Sequence, residues 1–274
     1  MNFLYELKSF LFPKNVLNFN TASPVHPTSR GIPIPTAKMR DGSGAGSISK
    51  SAAVCPTKAI RIVSESEVQF DYGKCLQCGL CTEASNGNLR DSGFIYTFAL
   101  RREELKVTYV SGQMKKVTDL PFPLTENQKR FQELTKKRGF LYREVAAAGN
   151  NTVESELNAS FNSVFDSERE GVRCVASPKH ADAVVFSGPV GERMAGPLET
   201  AWDVMSEPKA LIACGTEAVS GGLYPMGKLP KEPDLYISGD PPRPDVILQG
   251  FRLLMGRFSF QFQEALHKIL ENEK

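Results

Sequence analysis

The cysteine spacing constrains this chain more than any other feature. A CxxCxxC triplet, Cys75, Cys78 and Cys81 in "FDYGKCLQCGLCTEASNGN", lies downstream of a lone Cys55-Pro56 in "SISKSAAVCPTKAI". Three thiols at this spacing with a fourth from a separate segment match a tetrathiolate metal site. The chain has six cysteines in all and shows no export signal. That usage suits a reducing compartment, where thiols serve metals more often than disulfides.

In two-cluster ferredoxins the run C-x2-C-x2-C-x3-C-P occurs twice, and the fourth cysteine of each run ligates the other cluster. Counting back from Cys55-Pro56, the other positions of the first run hold Ser51, Ile48 and Ala45. The fourth position of the second run holds Ser85, followed by Asn86 instead of proline. Cys55, Cys75, Cys78 and Cys81 are therefore the full ligand set of one [4Fe-4S] cluster. Ala45, Ile48, Ser51 and Ser85 take all four positions of the other. One centre is kept whole and one is deleted whole, so one [4Fe-4S] cluster is the expected cofactor. Zinc also accepts four thiolates, and four metal-free structural thiols are the remaining alternative.

The surrounding text divides into segments. Residues 1–40 form an N-terminal arm, and the Pro-, Gly-, Ser- and Thr-rich residues 13–50 read as extended, wrapping chain. Apolar residues at 3, 4, 7, 10 and 11 mark a helical stripe that ends at Pro13. Residues 41–111 hold the cysteines and the strand-like "AIRIV", "EVQFD", "FIYTFAL" and "LKVTYV". Residues 112–139 form a linker with a Thr-capped helix in "PFPLTENQKRFQELTKKRG". From 140 to 274, "VRCVA", "ADAVVFSG", "KALIACG" and "DLYISG" are buried-strand candidates. Helical stretches separate them, a pattern that predicts a parallel α/β sheet. An amphipathic helix closes the chain.

Within that last segment, "SPKHADAVVFSGPV", "EPKALIACG", "SGG" and "SGDPPRP" fall in a familiar order. Residues 140–255 resemble the small electron-transfer subunit shared by group 4 membrane-bound [NiFe]-hydrogenases, formate hydrogenlyase and respiratory complex I. In complex I it is the B-type, twenty-kilodalton protein. Residues 41–111 resemble the ferredoxin-like subunit of the same complexes, so the chain reads as a fusion of two neighbouring subunits. The resemblance implies an α+β ferredoxin-like iron–sulfur domain followed by a flavodoxin-like α/β domain. It also implies that the second domain's proximal-cluster ligands fall on Asn150, Val153, Glu217 and Asp240, none of them cysteine. Cys174 and Cys214 are too few to replace them, so this cluster is expected to be lost. Glu217, Asp240 and Asn150 offer oxygen donors for a hard cation or a proton relay. The plainer alternative is that polar side chains and water fill the vacated pocket.

Other classes of function are excluded or set aside. Lys and Arg total 33 against 31 Asp and Glu, so no basic field calls for nucleic acid. No apolar run reaches the roughly 20 residues of a membrane span, and the N-terminus does not read as a secretory leader. "AVSGG" is not a dinucleotide fingerprint, no Ser/His/Asp triad is readable, and His180 reads as a structural histidine at the start of a strand. "PPRP" sets a rigid turn before a helix, with Arg243 a candidate contact for a partner subunit. The expected role is a cluster-bearing subunit on the cytoplasmic face of a membrane complex. It would contact a protein like the hydrogenase large subunit (the forty-nine-kilodalton protein of complex I), membrane-arm subunits and another iron–sulfur protein. The alternative is a non-catalytic scaffold stapled by its metal.

Overall fold

The structure, a computed structural model, describes residues 17–40, 45–115 and 122–271. The helical stripe before Pro13 lies outside these residues. In chain order the strands are β1 (Pro33–Pro35), β2 (Ile60–Ile62), β3 (Glu67–Asp71), β4 (Leu89–Asp91), β5 (Phe98–Ala99) and β6 (Lys106–Val110). They continue with β7 (Gln113–Met114), β8 (Leu141–Ala146), β9 (Arg173–Cys174), β10 (Ala183–Ser187), β11 (Ala210–Cys214) and β12 (Leu235–Ile237). Among the described residues they form a β1-β4 pair, an antiparallel sheet ordered β2-β3-β6-β7, and a larger sheet ordered β5-β12-β11-β10-β8-β9.

Sequence pattern explains which strand goes where. β10 ("AVVFS") and β11 ("ALIAC") are buried at every position, the unbroken apolar run of a parallel strand covered on both faces. Both run parallel to their neighbours β8 and β12. β3 ("EVQFD") alternates half-buried and buried residues, as an antiparallel strand with one face on the core must. The helix Glu126–Arg138 starts at the expected capping box: Gln128 N–H donates to Thr125 Oγ1 at 3.1 Å, and Thr125 N–H to Gln128 Oε1 at 2.9 Å.

Three local expectations change. The segment Ala45–Val54 is helical rather than extended; it contains no proline, and its "SAAV" end favours helix. β8 ("LYREVA") carries no clear strand signal because Arg143 and Glu144 interrupt it, yet it pairs with β10 along five residues. His180 closes a 3₁₀ turn, Pro178–His180, before β10 begins.

β5 lies in the cysteine-bearing segment but pairs antiparallel with β12, Phe98 opposite Ile237. The cysteine segment thus supplies an edge strand to the parallel sheet, and one buried apolar cluster runs through both parts. No helix among the described residues is long and apolar enough to cross a membrane.

Candidate metal centre and the pocket beside it

Cys55 follows the helix Ala45–Val54, and Pro56 turns the chain away. Cys75 ends the 3₁₀ turn Tyr72–Lys74, Cys78 lies in the loop, and Cys81 sits in the short helix Leu80–Glu83. The loop between them takes left-handed backbone at Gln77 (φ 55°) and Gly79 (φ 83°). Gly79 has a further reason to lack a side chain, since a Cβ there would strike the Arg30 guanidinium. Arg30 in turn donates to Glu83 at 3.1 Å.

All four thiols line one apolar cavity, together with Ile60, Phe70 and Leu76. Cys75 and Cys81 are buried, Cys55 is half-buried and Cys78 is exposed, so the cavity opens on the Cys78 side. Two sulfurs accept backbone N–H groups: Cys55 Sγ from Ala59 at 3.2 Å and Cys75 Sγ from Gln77 at 3.4 Å. Burial raises the Cys75 thiol pKa, and the nearby thiols of Cys81, Cys55 and Cys78 raise it further. Burial, with Cys55 and Cys78, pushes Cys81 up to about 12. Cys75 and Cys81 therefore resist ionising unless a cation stands beside them. Among the described residues, no three His, Cys, Asp or Glu side chains are set to hold a single metal ion.

Of the positions the sequence assigns to a second centre, Ile48, Ser51 and Ser85 are packed. Ile48 is 1% exposed. Ser51 Oγ donates to the Cys81 carbonyl at 2.8 Å. Ser85 Oγ donates to the Thr82 carbonyl at 2.7 Å and accepts Leu89 N–H at 3.0 Å. Neutral hydroxyls and an isoleucine have become core.

In the parallel sheet, Asn150 follows β8, Glu217 follows β11 and Asp240 follows β12. Sites form beyond the carboxyl ends of such strands, and these residues do meet. Asn150 Nδ2 donates to Asp240 Oδ1 at 3.4 Å, and Asn150 N–H donates to the Glu217 carboxylate. Burial first, then the charges of Asp240 and Glu154, raise the Glu217 pKa. Val153 is buried, and a Cβ on Gly215 would come within 2.5 Å of its Cγ2. Below the pocket, Ser187 Oγ donates to Glu154 Oε1. Burial followed by Glu154 raises the Glu144 pKa, and burial raises that of Cys214.

The two sites share a wall. Thr216 Oγ1 donates to the Cys75 carbonyl at 3.1 Å and accepts Gly239 N–H at 3.1 Å. Ser238 Oγ lies 3.0 Å from Thr216 Oγ1 and contacts the Tyr72 and Gly73 carbonyls at 3.2 and 3.3 Å. Arg102 clamps the same turn, pairing with Asp71 at 2.7 Å and donating to the Val219 carbonyl at 3.3 Å. Sequence reasoning misses Thr216, Ser238 and Arg102. The available signal is a hydroxyl residue close to Glu217 in "CGTE" and to Asp240 in "SGD".

Residues 149–254 match the family described as NADH ubiquinone oxidoreductase, 20 Kd subunit. A B-type NADH-quinone oxidoreductase protein from Geobacter metallireducens is 35% identical over 128 residues, 43% of this chain and 75% of that protein. The chain belongs to this small-subunit family. Formate hydrogenlyase subunit 7 of Escherichia coli is 37% identical over 128 residues, 44% of this chain and 50% of that protein, so the chain spans about half of that relative's length. A probable membrane-bound hydrogenase subunit, mbhJ, of Pyrococcus furiosus is 29% identical over 130 residues, 45% of this chain and 73% of that protein. The family match opens at Gly149 and includes Asn150, Val153, Glu217 and Asp240. The four thiols at 55–81 lie outside it.

Proposed function

We propose that this chain is an iron–sulfur subunit of a hydrogenase-like or complex I-like oxidoreductase assembly. One [4Fe-4S] cluster would sit on Cys55, Cys75, Cys78 and Cys81 in a ferredoxin-like segment fused to the small-subunit domain. The observation that carries this reading is that four thiols from two separate segments line a single apolar cavity. Zinc fits less well. Zinc–thiolate bonds of about 2.3 Å bring tetrahedral sulfurs to roughly 3.8 Å from one another. Yet among the described residues no three such side chains are set for one ion. Four thiols at the sequence spacing of a paired-cluster ferredoxin run suit a cubane.

When bound, such a cluster stores and passes single electrons. The chain's own residues tune and shield it. The Ala59 and Gln77 N–H groups donate to sulfur and draw charge off the thiolates, which favours the reduced state. Ile60 and Phe70 keep water from the inner wall, while exposed Cys78 marks the side on which a redox partner exchanges electrons. The proximal cluster of the small-subunit domain is absent on this reading, because Val153 has no donor atom and Asn150, Glu217 and Asp240 bring no thiol. The partners would be a protein of the hydrogenase large-subunit type, membrane-arm subunits and a further iron–sulfur protein, with the chain peripheral on the cytoplasmic face.

One observation favours a second reading. Val153 packs onto Gly215 where the next centre of a relay would stand, so an electron at the four-thiol site has no second thiol site among the described residues. The metal would then be a staple in a coupling scaffold. Iron and acid-labile sulfide per chain, with EPR after dithionite reduction of anaerobically purified protein, separate the two. About four irons and a reducible cubane signal, lost in Cys78→Ala, are expected. About eight irons would refute loss of the proximal cluster. Zinc, or no metal, would leave the scaffold.

A further inference from the structure

The small-subunit domain has no thiols at its ligand positions, yet two of its former ligand loops remain fastened to the four-thiol site. We propose that Thr216 and Ser238 are positioning residues that set the reduction potential of the centre held by Cys55, Cys75, Cys78 and Cys81. The inference rests on the iron–sulfur reading above and extends it. The domain that lost its own cluster would retain an electronic role as the buried polar wall of its neighbour's.

The geometry is specific. Thr216 stands between Gly215 and the vacated position Glu217, and Ser238 stands two residues before the vacated position Asp240. Both are essentially inaccessible, at 0% and 1% exposure. Their hydroxyls point at the carbonyls of the turn that delivers Cys75: Thr216 at the Cys75 carbonyl itself, Ser238 at those of Tyr72 and Gly73. Thr216 is fixed by Gly239 N–H, which occupies its acceptor side and leaves its proton for Cys75. Ser238 can give its proton to Thr216 Oγ1, which leaves the Thr216 proton on Cys75, or to the turn directly, with Thr216 then shared between Cys75 and Ser238. Either choice puts at least one hydroxyl proton on the turn that delivers Cys75.

These bonds hold the positive end of at least one O–H dipole, backed by the second hydroxyl, towards a ligand loop in a dry interior, where oriented dipoles act most strongly. An electron added to the centre increases its negative charge, so these dipoles favour the reduced form. They are already oriented before reduction, because both hydroxyls are buried and bonded in the resting fold. Arg102 keeps the arrangement in register by joining Asp71, just before the turn, to the Val219 carbonyl in the helix that Thr216 begins. Groups of this kind, one bond removed from the ligands, tune metal sites without touching the metal.

The test is a dithionite-poised redox titration, read by EPR, of the anaerobically purified full chain as wild type, Thr216→Val, Thr216→Ser and Ser238→Ala. Valine keeps the shape of threonine and removes the hydroxyl; serine keeps the hydroxyl. Thr216→Val is expected to retain its iron and to disfavour reduction about threefold to tenfold; tenfold for a one-electron couple corresponds to about 59 mV. Ser238→Ala should shift the same way, and Thr216→Ser should return to wild type. Unchanged potentials in iron-loaded Thr216→Val and Ser238→Ala would overturn the proposal. Equal shifts in Thr216→Val and Thr216→Ser would also overturn it, because volume and not the hydroxyl would then be responsible. If Thr216→Val does not keep iron, Ser238→Ala alone decides by the same criterion. Wild type without iron would instead remove the function on which the proposal stands.

Discussion

Glu104 offers a sharp test of how the two parts of this chain are joined. It lies in the 3₁₀ turn Arg102–Leu105, between the clamp residue Arg102 and β6, and is 6% exposed. The backbone carbonyl of Glu104 accepts from Gln263 Nε2 of the last helix at 3.1 Å, so the turn is pinned from both sides. Burial raises the Glu104 carboxyl from 4.5 to about 7; Arg101 offsets part of the rise and Glu103 adds to it. The folded state therefore holds this proton more tightly than the unfolded chain does. Stability from this group is full below pH 4.5 and is lost as pH rises through 7. A shift of that size, at about 1.36 kcal/mol per unit, amounts to roughly 3 kcal/mol as an upper figure.

The perturbation is Glu104→Gln, which keeps the shape and removes the titration. Urea unfolding under anaerobic conditions, followed by circular dichroism and by the fluorescence of the single tryptophan, Trp202, gives stability at several pH values. Glu144, Glu156 and Glu217 are also raised by burial and slope the wild-type curve in the same direction. The informative quantity is thus the difference between variant and wild type, in which their contributions cancel. Relative to wild type, the variant should gain about 2–3 kcal/mol between pH 4.5 and pH 8. A difference that stays flat across that range would mean that Glu104 is hydrated, and that the turn does not pack as described.

Two further predictions concern the filled sites. Ile48→Ala should lower stability by about 2–5 kcal/mol in thermal or urea unfolding, the usual cost of emptying a tightly packed isoleucine site; a loss below about 1 kcal/mol would mean that the deleted cluster position is not core. Gly215→Ala should destabilise because its backbone sits at φ 95° and its new Cβ meets Val153 Cγ2, whereas in a Val153→Ala background the same change should be milder by about 1 kcal/mol in a double-mutant cycle.

Much of this is legible in the sequence, for identifiable reasons. Spacing alone groups Cys55 with the triplet, because the ligand rule for paired clusters is a rule about sequence positions. The fully apolar runs of β10 and β11 announce a parallel sheet. β8 escapes notice because Arg143 and Glu144 break its apolar pattern, and their placement depends on partners far along the chain. The helix at Ala45–Val54 is hidden by glycine and serine near its start; tertiary packing against Leu80–Glu83 outweighs that weak propensity. Thr216 and Ser238 are small and common residues. Only the approach of β11 and β12 to the Tyr72–Lys74 turn, across more than a hundred residues, gives them a role.

The two places where the sequence reading expects missing ligands differ in a way that packing alone does not explain. The deleted site near Cys81 holds Ile48 and two hydroxyls with bonds to backbone. The pocket beyond β11 and β12 instead keeps Glu217 and Asp240 near one another, with Glu154 adding to the repulsion. Like charges close together raise each other's pKa and weaken the fold when ionised. A pocket filled for stability alone would resemble the first. Asp240→Asn removes one charge while keeping an acceptor for Asn150, so the Glu217 pKa should fall towards the ordinary carboxylate range. The sign follows from linkage: because burial and the neighbouring charge raise the Glu217 pKa above 4.5, the gain should be larger at pH 8 than at pH 4. Melting temperatures of the two proteins at those pH values measure it. An equal effect at both would mean that the carboxylates do not face each other, and the contrast between a neutral, packed vacancy and a charged one would disappear with it.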